Sequence, residues 1–569
     1  MIILGIHDGH NCGATIIKNG EVLASVSEER LVRRKNETGY PINSIKEILK
    51  LSNLNAVDID EFVYASNFMH NAHYLKDKKK WYKAGRVEQE IDLNKSKEYL
   101  KAVFDKRKKD RIENIVKHLK IDEKKIFFIE HHLAHAAAAY YGSNINRREK
   151  ILILTCDGAG DGISASVSIG YKNKIKRLSS TKRSSSLGKI YSRVTHHLGF
   201  EPWEHEYKIM GMAPYGKFKD AKRIEKIFEK VTKIKNKNIF FSNPSSLDAS
   251  YLYDYFQSKL SLERFDNISL GVQLFLENQL IHWVKNCIKK TKIKSIVAGG
   301  GVFMNVKANQ KISDLKEVKK LFIFPSCGDE SLSFGAAWYR FYNNRKNDYK
   351  PKFKNIYLGR SFDDQEISKL IQKSFYNSKR FKVKKVKNIE AEVAELLSKN
   401  NIVARFKSNS EWGARALGNR SILANPSDLN TVNKINSMIK KRDFWMPFAP
   451  SILNEDLKKF FKVKKKLDLR YMTISVDSKN EKIDRISAAL HPKDNTGRIQ
   501  VVDRHLNLHY YKLLKLFKKK TGSSIILNTS FNIHGQPIVY YPEDAILAFK
   551  NSGLNYLCVN NYLIKKNAN

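Results

Sequence analysis

Two histidines one helical turn apart are the residues best suited to chemistry in this chain: His131 and His135, in the run His131-His132-Leu133-Ala134-His135. The run follows the apolar stretch Ile126 to Ile129 and opens a small-residue segment, Ala136 to Ala139, which predicts a helix. Side chains at i and i+4 share a helical face. Both imidazoles can therefore reach one metal ion or one phosphate, while His132 points elsewhere and is placed to orient a neighbour. The spacing is that of HExxH without its glutamate base, which argues against an ordinary zinc peptidase. A metal site needs at least one further ligand, and Asp329 and Asp157 are the candidates. Each falls just past an expected strand, where α/β sheets collect ligands.

Three Gly-rich loops could bring backbone N–H groups close to an anion. In His7-Asp8-Gly9-His10-Asn11-Cys12-Gly13-Ala14, the glycines permit close approach, Asp8 could hold a hydrated cation beside phosphates, and His10 could act as a base near neutral pH. The segment Asp157-Gly158-Ala159-Gly160-Asp161-Gly162 reads as an acidic loop for nucleotide phosphate or a divalent cation, with Gly158 and Gly160 lining it. Gly299-Gly300-Gly301, followed by Val302 to Asn305, reads as a further loop against which a base or ribose could lie. Lys208 precedes the turn Met210 to Gly216 and could meet a phosphate; a solvent-facing lysine on a tight turn is the plainer alternative.

The C-terminal part has its own anion-handling set. Arg405 and Lys407 leave an expected strand, Arg415 and Arg420 flank Gly418-Asn419, and Lys441 and Arg442 precede Phe444 to Phe448. Arg498 follows Gly497, and Ser530 and Asn532 leave the strand ending at Leu527. Such residues suit triphosphate and carbamoyl phosphate alike. The runs Lys458 to Lys466 and Lys515 to Lys520 read instead as solvated helix faces. No GxxxxGK[ST] loop and no GxSxG elbow is present, which disfavours a P-loop ATPase and a serine hydrolase of that type.

The elements that must position these residues form a repeated pattern. Ile2 to Ile6 is an expected strand, the loop His7 to Gly13 follows, Ala14 to Ile17 returns, and Asn19-Gly20 is a hairpin turn leading into Val22 to Val26. The plan recurs about 150 residues on, with Ile151 to Leu154, the Asp157 to Gly162 loop, Ile163 to Ile169 and a turn at Lys172-Asn173. This predicts a duplicated α/β unit whose two acidic loops face one cleft. Between the copies, residues 60–125 form a lysine-rich insertion with helical faces at Leu100, Val103 and Phe104 and at Ile112, Ile115 and Val116. A long amphipathic helix is expected over 270–290, strands at Ile293 to Val297 and Leu321 to Phe324, and a helix over 331–345. The charged run 343–354 marks a boundary. It separates a domain over 1–350 from one over 356–569, with strands at Ile402 to Phe406, Met472 to Val476, Ile525 to Leu527 and Tyr556 to Val559.

Composition sets outer limits. A chain of 569 residues exceeds one ordinary core, and its 42% apolar content excludes global disorder. The net charge of +45 attracts polyanions or phosphorylated substrates, although lysines spread along the whole chain also fit a general compositional bias. Five cysteines without a CxxC pair fit a reducing compartment. The opening apolar run is too short for a signal peptide, and no long uncharged apolar stretch follows, so a cytoplasmic protein without membrane partners is expected.

Taken together, these motifs resemble the carbamoyltransferase family of nodulation and antibiotic biosynthesis over nearly the whole chain. The likeness rests on His7 to Ala14, the run from His131, the Asp157 loop, Lys208 to Gly216, Gly299 to Asn305 and Ser326 to Ser333. In the C-terminal part it rests on Trp412 to Ser421, Pro447-Phe448-Ala449-Pro450 and Asn528 to Gly535. The resemblance implies a duplicated domain of the actin-like ATPase superfamily, similar to the tRNA threonylcarbamoyl transferase, followed by a second α/β domain similar to the threonylcarbamoyl-adenylate synthase. It implies that carbamoyl phosphate and ATP, with Mg2+, give carbamoyl adenylate in the second domain. It further implies Fe(II) or another divalent metal on His131, His135, Asp329 and Asp157 in the first, and His10, beside Asp8, deprotonating an acceptor hydroxyl. The acceptor stays open, a nucleoside or nucleotide being one option, and so does a homodimer. A tRNA threonylcarbamoyl-type transferase and a non-catalytic nucleotide-binding regulator are the alternatives. Carbamoyl phosphate-dependent ATP–pyrophosphate exchange separates the first alternative, and metal analysis the second.

Overall fold

The computed structural model describes residues 1–68, 97–343, 345 and 352–567. Residues 69–96 of the lysine-rich insertion, residues 344 and 346–351 of the expected boundary run and the side chains of Lys97 and Leu100 lie outside the described residues. The chain divides into two compact units, Met1–Glu28 with Asn36–Phe353, and Glu29–Lys35 with Lys354–Asn569.

The first unit contains two five-stranded sheets of the same plan. In the first, β1 (Ile2–His7), β2 (Gly13–Lys18) and β3 (Glu21–Ser27) form an antiparallel meander. β4 (Glu61–Ala65) and β5 (Ile126–Ile129) extend it in parallel from β1, giving the order β3-β2-β1-β4-β5. In the second, β6 (Ile151–Gly160), β7 (Ile163–Tyr171) and β8 (Lys174–Lys182) repeat the meander. After a small ribbon of β9 (Lys233–Ile234) and β10 (Phe241–Ser242), β11 (Ser295–Gly299) and β12 (Lys320–Ile323) repeat the parallel extension. The duplicated strand–loop–strand pattern of the sequence is thus two sheets of identical pairing. Asn19 and Gly20 both take positive φ, 51° and 83°, as a two-residue turn matched to strand twist requires.

Each sheet is followed by a helix at the end of its fifth strand, His131–Tyr141 after β5 and Leu332–Asn343 after β12. The two helices pack tightly. A Cβ on Gly335 would lie 1.8 Å from the Ala134 carbonyl oxygen, so only glycine permits this approach. The segment expected as an acidic loop at Asp157 to Gly162 is corrected by the structure: β6 continues through Gly160, and Asp161-Gly162 alone makes the turn. A register shift between Cys156 and Gly160 accommodates the extra residues as a bulge, which re-aims side chains at the strand end. Of the insertion, Lys97–Leu119 is helical, with Ile115 and Arg111 buried.

The second unit is built on an eight-stranded sheet. Its order is β13 (Phe381–Lys385), β22 (Tyr562–Lys566), β21 (Tyr556–Val559), β14 (Val403–Phe406), β15 (Arg420–Ala424), β20 (Ile526–Ser530), β16 (Ala449–Leu453) and β19 (Gln500–Val502). β17 (Ser475–Asp477) and β18 (Thr496–Arg498) form a separate hairpin. Two apolar clusters lie in this unit. One joins Ile367, Ile371 and Phe549 to Ala404 and Phe406, and the other joins Leu397, Leu514 and Phe517 to Val403 and Leu423. Alternate residues of β14 thereby serve different clusters, as the two-residue repeat of a strand requires. Among the described residues no helix is long and apolar enough to cross a membrane, and all five cysteines are buried and free.

Candidate active site

The duplication places chemistry at equivalent positions in the two sheets. His10 lies in the turn between β1 and β2, and Asp157 lies where β6 meets β7. His131 begins the helix after β5, and Asp329 stands just before the helix after β12. His131, His135, Asp157 and Asp329, all buried, offer ligand atoms within 4.8 Å of one another. His131 Nε2 is 3.4 Å from Asp157 Oδ2 and 3.6 Å from Asp329 Oδ1, and His135 Nε2 is 3.4 Å from the same Asp329 oxygen. Donors each about 2.0–2.2 Å from one cation stand roughly 3.0–3.6 Å apart, so these spacings suit a single ion. His135 Nε2 and Asp329 Oδ1 are buried without a hydrogen-bond partner, which is the condition of atoms awaiting a cation. The donor set of two imidazoles and two carboxylates fits a divalent metal.

The rings are held from behind. Ser66 Oγ is 2.9 Å from His131 Nδ1 and Ser331 Oγ is 3.3 Å from His135 Nδ1, leaving each Nε2 to face the centre. His132 turns away to Thr155 Oγ1 and the Ile163 carbonyl, at 2.8 and 3.0 Å. The helix N-terminus is fixed by two carboxylates. Asp161 accepts from the His131 N–H at 2.8 Å, and Glu130 accepts from His132 N–H and Leu133 N–H. The Gly301 N–H donates to Asp157 Oδ1 at 2.8 Å. Gly160 backs His131: an added Cβ would sit 2.0 Å from its imidazole. Gly160→Ala is therefore expected to displace that ring and weaken metal binding by about 10- to 100-fold, read by metal titration of the purified chain.

The charges of the cluster are interdependent. Burial opposes a charge on His131, but Asp329 and Asp157 outweigh it and raise its pKa to about 9. Burial and the Asp329 charge push the Asp157 carboxyl up, yet His131 and His135 hold it below the ordinary carboxylate range. Burial lowers His7 to about 3, so it is neutral, and its Nε2–H donates to the His10 carbonyl at 3.0 Å. Burial works against the charge on His10 too, but Asp329 outweighs it and raises the pKa. His10 Nδ1 is 3.2 Å from Asp329 Oδ2, and its side chain is 28% exposed, against 1% for His7, 5% for His131 and 0% for His135. His10 is thus the histidine of this cluster that reaches solvent, with Nε2 left to accept a proton.

Several sequence expectations change here. Asp8 is not available for a cation or for catalysis, because both its oxygens are taken by Arg111, at 2.7 and 2.9 Å. Arg111 lies over the stacked Tyr64 and Phe128 rings, 4.5 and 4.8 Å from their centroids, and holds the His10 turn through Asp8. Asn305 does not present its amide to a nucleotide. It caps the helix Val306–Asp314 and exchanges two hydrogen bonds with Gln273. Gly300 has φ 98° and packs on Cys156. Gly158 accepts through its carbonyl from Ser186 Oγ, and Lys208 Nζ lies 5.1 Å from the Phe200 ring centroid.

In the second unit the basic residues separate into groups. Burial, followed by the Arg415 and Arg442 charges, pulls the Arg498 guanidinium well below its usual value, so these three arginines lie close together. Arg442 also donates to Thr529 Oγ1 at 3.1 Å. The lysine of this cluster is Lys440, not Lys441. Lys440 is 2% exposed and donates to Ser530 Oγ and Asn532 Oδ1 at 3.0 and 2.7 Å, whereas Lys441 is exposed in a left-handed conformation, φ 46°. Lys440 closes a π-helical turn over Asn436–Lys440, and Lys441 follows as its left-handed cap. Arg420 is not free for phosphate. It is fully buried, lies over Phe406 and donates to the carbonyls of Arg360, Lys407, Ser408 and Asn419. Arg405 and Lys407 face Glu390, at 3.9 and 3.2 Å, rather than this cluster. Glu411, missed by sequence reasoning, accepts from the N–H groups of Leu417, Asn419 and Arg420 and shapes the loop that carries Arg415.

A duplicated α/β unit with a cation-sized tetrad is joined in sequence to an α/β unit in which three arginines neighbour one another, a make-up suited to anionic ligands. The models of the carbamoyltransferase N-terminus and C-terminus match residues 2–338 and 394–566. The protein MJ1058 of Methanocaldococcus jannaschii is 32% identical over 98% of this chain and 98% of its own length. Nodulation protein NolNO of Sinorhizobium fredii is 29% identical over 99% of this chain and 79% of its own length. Solved structures include component A of the Acidaminococcus fermentans (R)-2-hydroxyglutaryl-CoA dehydratase, at TM-score 0.31 and 14% identity over 60% of this chain and 98% of that one. The chain belongs to the carbamoyltransferase family and is a carbamoyl-transferring enzyme.

Proposed function

We propose that the chain is an ATP-dependent O-carbamoyltransferase working in two half-reactions, with Mg2+ accompanying ATP. Residues 1–350 are assigned to an actin-like ATPase domain similar to the tRNA threonylcarbamoyl transferase, a reading supported by the repeated five-strand order. Residues 356–569 are assigned to a domain similar to the threonylcarbamoyl-adenylate synthase. There, hydrolysis of carbamoyl phosphate gives carbamate and phosphate, and a carbamate oxygen attacks the α-phosphorus of ATP. Carbamoyl adenylate forms and pyrophosphate leaves. Arg415, Arg442, Arg498 and Lys440 offset the charge of these anions, with Ser530 and Asn532 orienting Lys440.

Carbamoyl adenylate is the donor in the first unit. His10 Nε2 takes the proton of the acceptor hydroxyl as its oxygen attacks the carbamoyl carbon, and AMP leaves with the electron pair of the broken C–O bond. Asp329 holds the other nitrogen of His10 and supports the imidazolium that forms. His131, His135, Asp157 and Asp329 would hold a divalent cation, Fe(II) in this reading, which when bound supplies Lewis-acid polarisation of the carbamoyl oxygen. The observation that supports the reading best is the position of His10 beside the tetrad, with one nitrogen on Asp329 and the other toward solvent. His10→Ala is expected to stop product formation in a mass-spectrometric acceptor screen while carbamoyl phosphate-dependent ATP–pyrophosphate exchange continues. Transfer at the parent rate would reject His10 as the base.

Metal binding should be proton-linked. A ligating imidazole is neutral, and the metal-free His131 has its pKa near 9, so binding at pH 7.5 displaces its proton. Apparent affinity is expected to rise about tenfold per pH unit from 6.5 to 8.5 and to level off above 9. Calorimetric titrations with Fe(II) or Zn(II) in buffers of different ionisation enthalpy measure the proton count; a pH-independent affinity contradicts it.

A further inference from the structure

We propose that Trp203 and Lys189 form the acceptor-recognition wall of the His10 site and select a ring-shaped acceptor that carries an anionic group, phosphate or carboxylate. The inference rests on the O-carbamoyl-transfer reading and adds the chemical class of the acceptor. The indole of Trp203 stacks beside His10, with ring centroids 6.0 Å apart and planes 29° from parallel. Its backbone takes φ 68°, a conformation that bulky residues avoid, and its N–H donates to Glu206 Oε1 at 2.7 Å. A backbone in an unfavoured conformation thus holds the half-buried indole next to the proposed base. An aromatic face in that place suits the apolar face of a sugar or similar ring.

Lys189 Nζ lies 5.3 Å from the centroid of the same indole. Its helix, Leu187–His197, is seated directly on the metal tetrad's strand. A Cβ on Gly188 would lie 2.8 Å from the Asp157 carbonyl oxygen, and Ser186 Oγ donates to the Gly158 carbonyl at 2.6 Å. Lys189 is therefore fixed relative to Asp157. Among the described residues no carboxylate lies within ion-pair distance of Nζ. Its surroundings disfavour a cation: burial first, then the Arg193 and Arg183 charges, lower the ammonium to about 7, against an opposing pull from Asp157 and Asp248. A lysine held beside two arginines, half-buried and without a counter-ion, is suited to an arriving anion. Because Lys189 Nζ and the His10 ring lie 5.3 and 6.0 Å from the centroid of one indole, the anionic group and the reacting hydroxyl belong on the same or adjoining rings.

The test uses the metal-loaded full chain and two matched pairs of probes, glucose with glucose 6-phosphate and galactose with galacturonate. Calorimetric binding and mass-spectrometric detection of carbamoyl product are the readouts. In the parent, the charged member of at least one pair is expected to bind about tenfold tighter than its neutral partner. Lys189→Met should remove that ratio, Lys189→Arg should retain it, and Trp203→Leu should weaken both members of the pair alike. Comparing phosphate with carboxylate distinguishes the two anion sources. The proposal is overturned if the parent shows no preference for charge, whether both members bind or neither does, or if the preference survives in Lys189→Met. Metal content and carbamoyl phosphate-dependent pyrophosphate exchange are measured on every variant. A parent chain lacking both refutes the transfer reading, whereas loss of charge preference with both intact refutes only the acceptor class.

Discussion

Asp329→Asn is expected to lower metal affinity by about 10²-fold and carbamoyl transfer by about 10³-fold, with pyrophosphate exchange in the second unit unchanged. The size of the effect follows from where the carboxylate sits. Its Oδ1 is 3.6 Å from His131 Nε2 and 3.4 Å from His135 Nε2, and its Oδ2 is 3.2 Å from His10 Nδ1 and 3.7 Å from His7 Nε2. One charge thus serves the cation site and the proposed base together. Asparagine keeps the shape but loses the charge that raises both His131 and His10, so the variant should fold and yet bind the cation poorly. The pH profile of any residual transfer should move to lower pH, since His10 no longer has the carboxylate that raises its pKa. Elemental analysis after gel filtration, thermal unfolding and the two half-reactions are the measurements. Full metal occupancy with parent transfer would remove Asp329 from the site.

The parts of this arrangement legible in sequence were those encoded locally. His131 and His135 are neighbours because of helical periodicity, and the strand–turn pattern at Asn19-Gly20 and its later repeat gave the two matching meanders. The resemblance added roles that spacing alone leaves open. What could not be read was pairing between distant segments. Nothing near Asp8 announces Arg111, 103 residues away, as the partner that takes both its oxygens. Nothing in Glu29–Lys35 indicates that it belongs to the second unit, where Arg30 donates to the Gly413 carbonyl and Arg33 to those of Pro537 and Ile538. Sequence reasoning also treated basic residues as equivalent. Arg420 and Arg442 look alike in a list of cations, but burial and carbonyl contacts give one to the loop scaffold and leave the other beside Arg498. The Asp157 segment misled for a related reason, since its glycines signal a loop when they mark a bulged strand end closed against His131.

The two adjacent lysines of the second unit should behave in opposite ways. Lys440→Ala is expected to reduce carbamoyl phosphate-dependent ATP–pyrophosphate exchange by about 10²- to 10³-fold, while Lys441→Ala changes it less than about threefold. Lys440 donates to Ser530 Oγ, Asn532 Oδ1 and the Asn532 carbonyl, which are all neutral. Burial, then the charges of Arg442 and Lys35, hold its ammonium well below the usual value. A buried ammonium among like charges is costly until an anion arrives, and that cost becomes binding energy once phosphate neutralises the group. Lys441 points to solvent and offers the same charge without the desolvation that makes it count. Because removing a buried side chain can unsettle the π-helical turn, Lys440→Met serves as the shape-preserving variant, with thermal unfolding and metal content of the first unit as controls. Exchange at the parent rate in both Lys440 variants, or an equal loss in Lys441→Ala, would contradict the assignment. Loss confined to Lys440 would mean that burial at the end of the π turn, and not charge alone, decides which of two identical side chains meets the substrate.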